Sequence, residues 1–276
     1  MKEDYLIIDR TKCKKDMLCI DECPFNLIET DKENGYPKLI PNAEKICNSC
    51  GHCVAVCPHD AISHTNVPIE ESPLIDDKLA INKDQAIQFL RSRRSIRRFK
   101  DKAVEKEKIE QLIEIAKYAP TARNAQRLEW LVYTDKAEMK ALSGFAVDWI
   151  RDDIKKHNGV PSAPYYPLIV EAWEAGKDMI LRDAPALIII SAPKDVVYGM
   201  VDISLALSYL ELSAPLFGLG TCWAGLLENA LKNWPSAFKS LGLAEDRIHH
   251  YPMMLGYPVP RYYRLPQRRK PRITWK

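Results

Sequence analysis

The rhythm of apolar positions changes twice along this 276-residue chain. Up to residue 62 apolar residues come in short doublets. Leu27-Ile28 and Leu39-Ile40 flank Asn34-Gly35, and this predicts a hairpin. Residues 63–82 carry Pro68, Pro73 and scattered charges, the composition of a linker. Helical spacing then takes over. Asn82 reads as the cap of a helix through 91, with Ile87 and Leu90 on one face. Ile109, Leu112, Ile113 and Ala116 mark a second helix over 105–118, stopped by Ala119-Pro120. Residues 130–133 read as a strand, 136–156 as a helix and 161–167 as a Pro- and Tyr-rich loop. The run Ala186-Leu187-Ile188-Ile189-Ile190-Ser191 reads as a buried strand. Residues 201–217 are apolar all round, as expected of a central helix, with Gly218 and Gly220 ending it. A last strand is expected over 253–257. The pattern divides the chain into a module at 1–62, a linker at 63–82 and a larger domain at 83–276.

Composition narrows the class. Hydrophobic residues make up 46% and charged residues 28%, as in soluble globular proteins. A net charge of +3 is too small to argue for nucleic acid or an anionic membrane. Residues 1–10 are charged throughout, unlike a signal peptide, and apolar runs fall short of membrane-spanning length. A cytoplasmic protein is expected. Seven of the eight cysteines lie between residues 13 and 57. Thiols kept reduced at such density point to metal rather than to disulfides.

Their spacing says which metal. Cys47, Cys50, Cys53 and Cys57-Pro58 spell C-x2-C-x2-C-x3-C-P, the run that wraps iron–sulfur cubes in bacterial ferredoxins. Three of the thiolates hold one cube and the fourth turns to another. A second half-motif stands upstream: Cys13, Cys19 and Cys23-Pro24, with Asp16 where a cysteine would fall. C-x2-C pairs also hold zinc, but zinc has no need of the full cadence twice. The crossing rule gives cluster one Cys13, Cys19 and Cys57, with Asp16 at its remaining corner. Cluster two takes Cys23, Cys47, Cys50 and Cys53. A carboxylate is a harder donor than a thiolate. Asp16 therefore either holds a labile fourth iron of a [4Fe–4S] cluster, or leaves a [3Fe–4S] cluster, or points to solvent. So small a module has little core, and its clusters would do much of the folding work.

Four later segments resemble the nitroreductase family of FMN-dependent flavoproteins. They are Arg93-Arg94-Ser95-Ile96-Arg97-Arg98-Phe99; Ala119-Pro120-Thr121-Ala122-Arg123-Asn124-Ala125-Gln126; Gly218-Leu219-Gly220-Thr221-Cys222-Trp223-Ala224-Gly225; and Gly256-Tyr257-Pro258 with the basic stretch around Arg269. In the second, Arg127-Leu128-Glu129 displaces the tryptophan that the family sets soon after the glutamine. The resemblance implies an α+β fold, a mixed or antiparallel sheet flanked by helices, preceded by the ferredoxin-like module. It implies FMN, with Arg93, Ser95, Arg97 and Arg269 at the phosphate, a dianion suited to guanidinium forks. It places Asn124 and Gln126 at the ring, and the backbone of Ala224 and Gly225 near its reactive edge. Read without the resemblance, the arginine run is a solvated basic face or a nucleic-acid patch. No recognition helix accompanies it. Arg94 and Arg98 read as facing water, and Cys222 and Trp223 as core. The histidines have no partner at useful spacing.

The two halves together imply a redox enzyme without an obligatory side-chain acid or base. Electrons would pass through the clusters to FMN, and from there to a nitroaromatic, quinone or similar electron-poor acceptor. The external donor would be a ferredoxin, a flavodoxin or NAD(P)H. By resemblance the protein is a homodimer, the Asn124 turn reaching the partner's flavin. The alternative is an electron-transfer adapter whose acceptor or donor is another redox protein. Neither nucleic acid nor membrane is an expected partner.

Overall fold

The computed structural model describes residues 5–159 and 161–276. The first four residues of the charged opening lie outside them. The chain forms two compact units, residues 1–80 with 123–125, and residues 81–122 with 126–276.

The first unit is built from very short elements: β1 (Leu6–Ile8), α1 (Leu18–Asp21), β2 (Ile28–Thr30), β3 (Pro37–Leu39), α2 (His52–Ala55) and β4 (Ile62–His64). β2 and β3 are the expected hairpin, paired antiparallel with Ile28 opposite Leu39. Gly35 takes the left-handed conformation its turn requires, at φ 73°. β1 and β4, which the apolar pattern did not reveal, pair antiparallel and bring the ends of the module together. Its core is small: Cys19, Ile28 and Ile62 are buried, and Cys23, Cys53, Val56 and Cys57 pack against them together with Leu6, Ile8, Ile20 and Leu39.

The second unit follows with α3 (Lys83–Ser92), α4 (Lys106–Ala116), β5 (Glu129–Tyr133), α5 (Lys136–Lys156), α6 (Tyr166–Glu174), β6 (Ala186–Ala192), α7 (Gly199–Ser213), β7 (Gly220–Trp223), α8 (Gly225–Asn233), α9 (Pro235–Ser240) and β8 (His249–Gly256). Asn82 caps α3 in a reciprocal capping box with Gln85. The strands form one antiparallel sheet in the order β5-β6-β8-β7. Alternation along β6 explains its unbroken apolar run. Leu187 and Ile189 enter one core with α5, α6, α8 and α9. Ala186, Ile188, Ile190 and Ala192 enter the other with α4 and α7. Helices cover both faces, so neither set of side chains meets water.

Three expectations need correction. Gly218 does end the helical stretch, at φ 71°, but Gly220 opens β7 instead. The loop expected over 161–167 already turns into α6 at Tyr166. Residues Gly199–Phe217 are long and apolar enough, by length and composition, to cross a membrane. They form the central helix and its extension, with Ile203, Ala206, Leu207 and Leu210 wholly buried against the sheet.

Candidate functional site

In the first unit the eight expected ligands separate into two cavities as the crossing rule requires. Cys13, Asp16, Cys19 and Cys57 line one, with His59 and Ile62. Cys23, Cys47, Cys50 and Cys53 line the other, with Tyr5, Leu27 and His64. Among the described residues no three His, Cys, Asp or Glu side chains converge as they would on a single metal ion. The thiols instead stand around a space, which suits a cube with one ligand per corner.

Local backbone chemistry sets those corners. Gly51 begins α2 at φ 75°, and a Cβ there would come within 3.1 Å of Val67 Cγ1. Ser49 is also left-handed, at φ 53°. Together they fold the loop so that Cys47, Cys50 and Cys53 face inward. Backbone donors then reach the sulfurs: Leu27 N–H to Cys23 Sγ at 3.3 Å and Ser49 N–H to Cys47 Sγ at 3.4 Å. His64 Nε2 lies 3.6 Å from Cys47 Sγ. Such donors to cluster sulfurs raise reduction potential. Burial pushes the thiols of Cys19 and Cys53 up to about 11, and neighbouring acidic groups add to the effect. To hold iron they would give up those protons, so cluster assembly would release protons. In the same unit Asn124 Nδ2 donates to the carbonyls of Asn48 and Ser49, at 3.1 and 3.0 Å.

In the second unit the arginine run is bound to the end of the sheet. Ile96 N–H donates to Thr221 O at 2.8 Å. Gly220 makes room for it: a Cβ there would fall 2.3 Å from Ile96 Cγ1. Arg93 and Ser95 are half-buried, and Arg97 is exposed. Arg93 Nη1 donates to Glu211 Oε1 at 2.9 Å and to Ser95 Oγ at 3.5 Å. Its Nε and Nη2 have no partner among the described residues. The other oxygen of Glu211 accepts from Trp223 Nε1 at 3.1 Å. Arg93, Glu211, Gly220 and Thr221 line a common cleft with Tyr262. Burial raises the Cys222 thiol, while the Arg97 and Arg182 guanidiniums and the Ser95 hydroxyl pull it down, so these groups surround β7. The donor set fits a phosphate dianion.

The ring-edge expectation narrows. Ala224 N–H donates to Pro252 O at 3.0 Å and is not available. Gly225 is the first residue of α8, where N–H groups have no partner inside the helix. Arg269 lies exposed in the C-terminal stretch. Gln126 is exposed at φ 49°, its N–H donating to Thr121 Oγ1 at 3.1 Å. Arg94 does not simply face water: its Nη1 folds back onto the carbonyls of Arg91 and Arg93.

Sequence reasoning missed Glu211, whose signal was an acid inside an apolar helix that holds one other, Asp202. It also left the histidines without partners. His59 pairs with Asp16, His64 approaches Cys47, and His250 Nδ1 lies 2.9 Å from Glu228 Oε2 in the core.

Comparison with known proteins decides the family. Residues 90–257 match the model of the Nitroreductase family. The chain belongs to that family. Residues 10–61 match a 4Fe-4S dicluster domain, so a dicluster ferredoxin domain precedes the nitroreductase domain. The chain is similar to an FMN reductase (NAD(P)H) of Bacillus subtilis, 26% identical over 67% of this chain and 70% of the relative. Its N-terminal part is similar to a protein named Ferredoxin 7Fe from Hydrogenibacillus schlegelii, 34% identical over 24% of this chain and 80% of the relative. A nitroreductase with bound FMN from Bacteroides fragilis shares the fold, with a TM-score of 0.56 at 18% identity over 70% of this chain and 98% of that one. With its ferredoxin domain, this member of the nitroreductase family is an iron–sulfur flavoprotein oxidoreductase.

Proposed function

We propose that this protein draws single electrons through two iron–sulfur clusters and uses FMN to reduce nitroaromatic, quinone or similar electron-poor acceptors. The observation that carries the reading is the sorting of eight ligands into two four-cornered cavities ahead of a nitroreductase domain. Iron–sulfur clusters supply one-electron transfer, and a flavin supplies conversion between one- and two-electron chemistry.

The chain's own residues would bind and orient. Arg93, through Nε and Nη2, and Ser95 would hold the FMN phosphate, with Arg97 and Arg269 adding charge. Gly225 N–H, at the positive end of α8, would face the electron-rich edge of the ring. Glu211 would keep Arg93 and Trp223 in register. Asn124 and Gln126 complete the set, in a homodimer whose second copy supplies the Asn124 turn. Exposed Tyr198, Val201, Tyr209 and Leu216 on and beside α7 give such a dimer an apolar face. The relative named a 7Fe ferredoxin supports a first cluster able to stand with three irons.

The test is reduction of anaerobically purified protein with NADH, NADPH and reduced ferredoxin in turn, followed by addition of a nitroaromatic or a quinone. Flavin absorbance should bleach with the true donor and return with the acceptor. Slow turnover with every small acceptor, but fast exchange with a redox protein, would replace the enzyme by an adapter.

A further inference from the structure

The cavity of cluster one has a side chain that the ferredoxin spacing does not account for. His59 lines it beside Cys13, Asp16, Cys19 and Cys57. Its Nε2 lies 3.1 Å from Asp16 Oδ2. The other carboxylate oxygen of Asp16 accepts only a long bond, 3.4 Å, from Leu18 N–H. His59 is therefore the closer of the two groups that fix where this carboxylate points.

Both partners sit on constrained backbone. Asp16 stands between Lys15 and Met17, left-handed at φ 60° and 63°. Lys15 is drawn away from it: its Nζ donates to Asn34 O at 2.7 Å and lies over the Tyr36 ring. His59 follows Cys57-Pro58 directly. Asp60, at φ 49°, turns the chain after it, and Ala61 O accepts from Asp9 N–H at 2.8 Å. A thiolate ligand and the imidazole thus share one short tether. The imidazole meets the carboxylate at the one corner that lacks a thiolate.

A carboxylate that ligates a metal is itself oriented by hydrogen bonds, and removing such a partner costs about 10–100-fold in metal affinity. We propose that His59 is a positioning residue for that corner: its Nε2–H holds Asp16 toward the cavity and sets how tightly cluster one keeps its fourth iron. The inference rests on the reading of Asp16 as a ligand of cluster one. An ordinary surface pair is the bland alternative, since both side chains are about one-third exposed, at 34% and 35%. Surface pairs contribute little, and such a pair would leave iron binding unchanged.

The test uses full-length protein purified without oxygen. Ferricyanide with EDTA takes one electron from each [4Fe–4S] cluster one and one ferrous ion leaves, giving the [3Fe–4S] form. The protein is then reduced with dithionite and titrated with ferrous ion. Electron paramagnetic resonance follows the loss of the three-iron species, and cluster two is the internal reference for an intact module. His59→Ala should weaken ferrous-ion binding about 10–100-fold. His59→Gln keeps a side-chain N–H donor and should recover most of that loss. In an Asp16→Cys background His59→Ala should have no effect. Wild-type affinity in His59→Ala, or an equal loss in the Asp16→Cys background, overturns the proposal. So does loss of binding in His59→Ala with none in Asp16→Ala, which would make the imidazole itself the ligand. If Asp16→Ala and His59→Ala both bind like the wild type, the reading of Asp16 fails first. If Asp16→Ala weakens binding and His59→Ala does not, only the role of His59 fails.

Discussion

Gly220→Ala tests the seam between the arginine run and the sheet. The added Cβ would stand 2.3 Å from Ile96 Cγ1, 3.2 Å from its Cβ and 3.4 Å from its Cδ1. Ordinary contact begins near the last of these distances, so about an ångström of movement is needed. Ile96 cannot easily supply it. It is 7% exposed, and its N–H is bonded to Thr221 O on the same strand. Overpacking of this kind costs about 1–3 kcal/mol. At about 2–4 °C per kcal/mol for a domain of this size, the melting temperature should fall by roughly 2–12 °C. The relaxation must also move Ser95 and Arg93, next to Ile96 in the chain, so FMN should be held more weakly. A circular-dichroism melt and flavin content per chain read both effects. Ile96→Ala removes the atoms that clash, and the double variant should be more stable than the two single changes added together. Additive losses, or a Gly220→Ala protein with unchanged melting and flavin content, would refute the contact.

Two other perturbations have definite signs. Arg93→Ala removes the charge-assisted partner proposed for the phosphate and should weaken FMN by about 10–100-fold, with the cluster absorbance intact; unchanged flavin content would displace the phosphate site. Tyr257 O–H donates to Glu105 Oε2 and is the main reason that carboxyl is held at about 2 instead of 4.5. The bond favours the charged form. Its contribution is complete above 4.5 and fades as the pH falls toward about 2. Tyr257→Phe should therefore be less stable than wild type near neutral pH, and the gap should close through that acid window in urea titrations. A gap that stays constant with pH would assign the loss to packing.

What could be read from the sequence was local. The cysteine ladder is a spacing code, and the residues it assigned to each cluster line a common cavity. α5 occupies residues 136–156 as its periodicity indicated, and the Asn82 cap is present. What could not be read depends on partners distant in the chain. β7 hid inside a glycine-rich motif, because Gly220 is there for the close approach of Ile96 and not to end a helix. Glu211 looked like an interruption of an apolar helix until Arg93 and Trp223 met it. His59 and His250 looked unpartnered because Asp16 and Glu228 reach them only through the fold. The Ala224 N–H was available on paper, but the pairing with Pro252 consumes it.

The most direct measurement is the content of iron, acid-labile sulfide and flavin in protein purified without oxygen. Two iron–sulfur clusters and one FMN per chain are predicted, with both chromophores bleached by a single low-potential donor. Colourless protein that carries zinc in place of iron and sulfide would contradict the account.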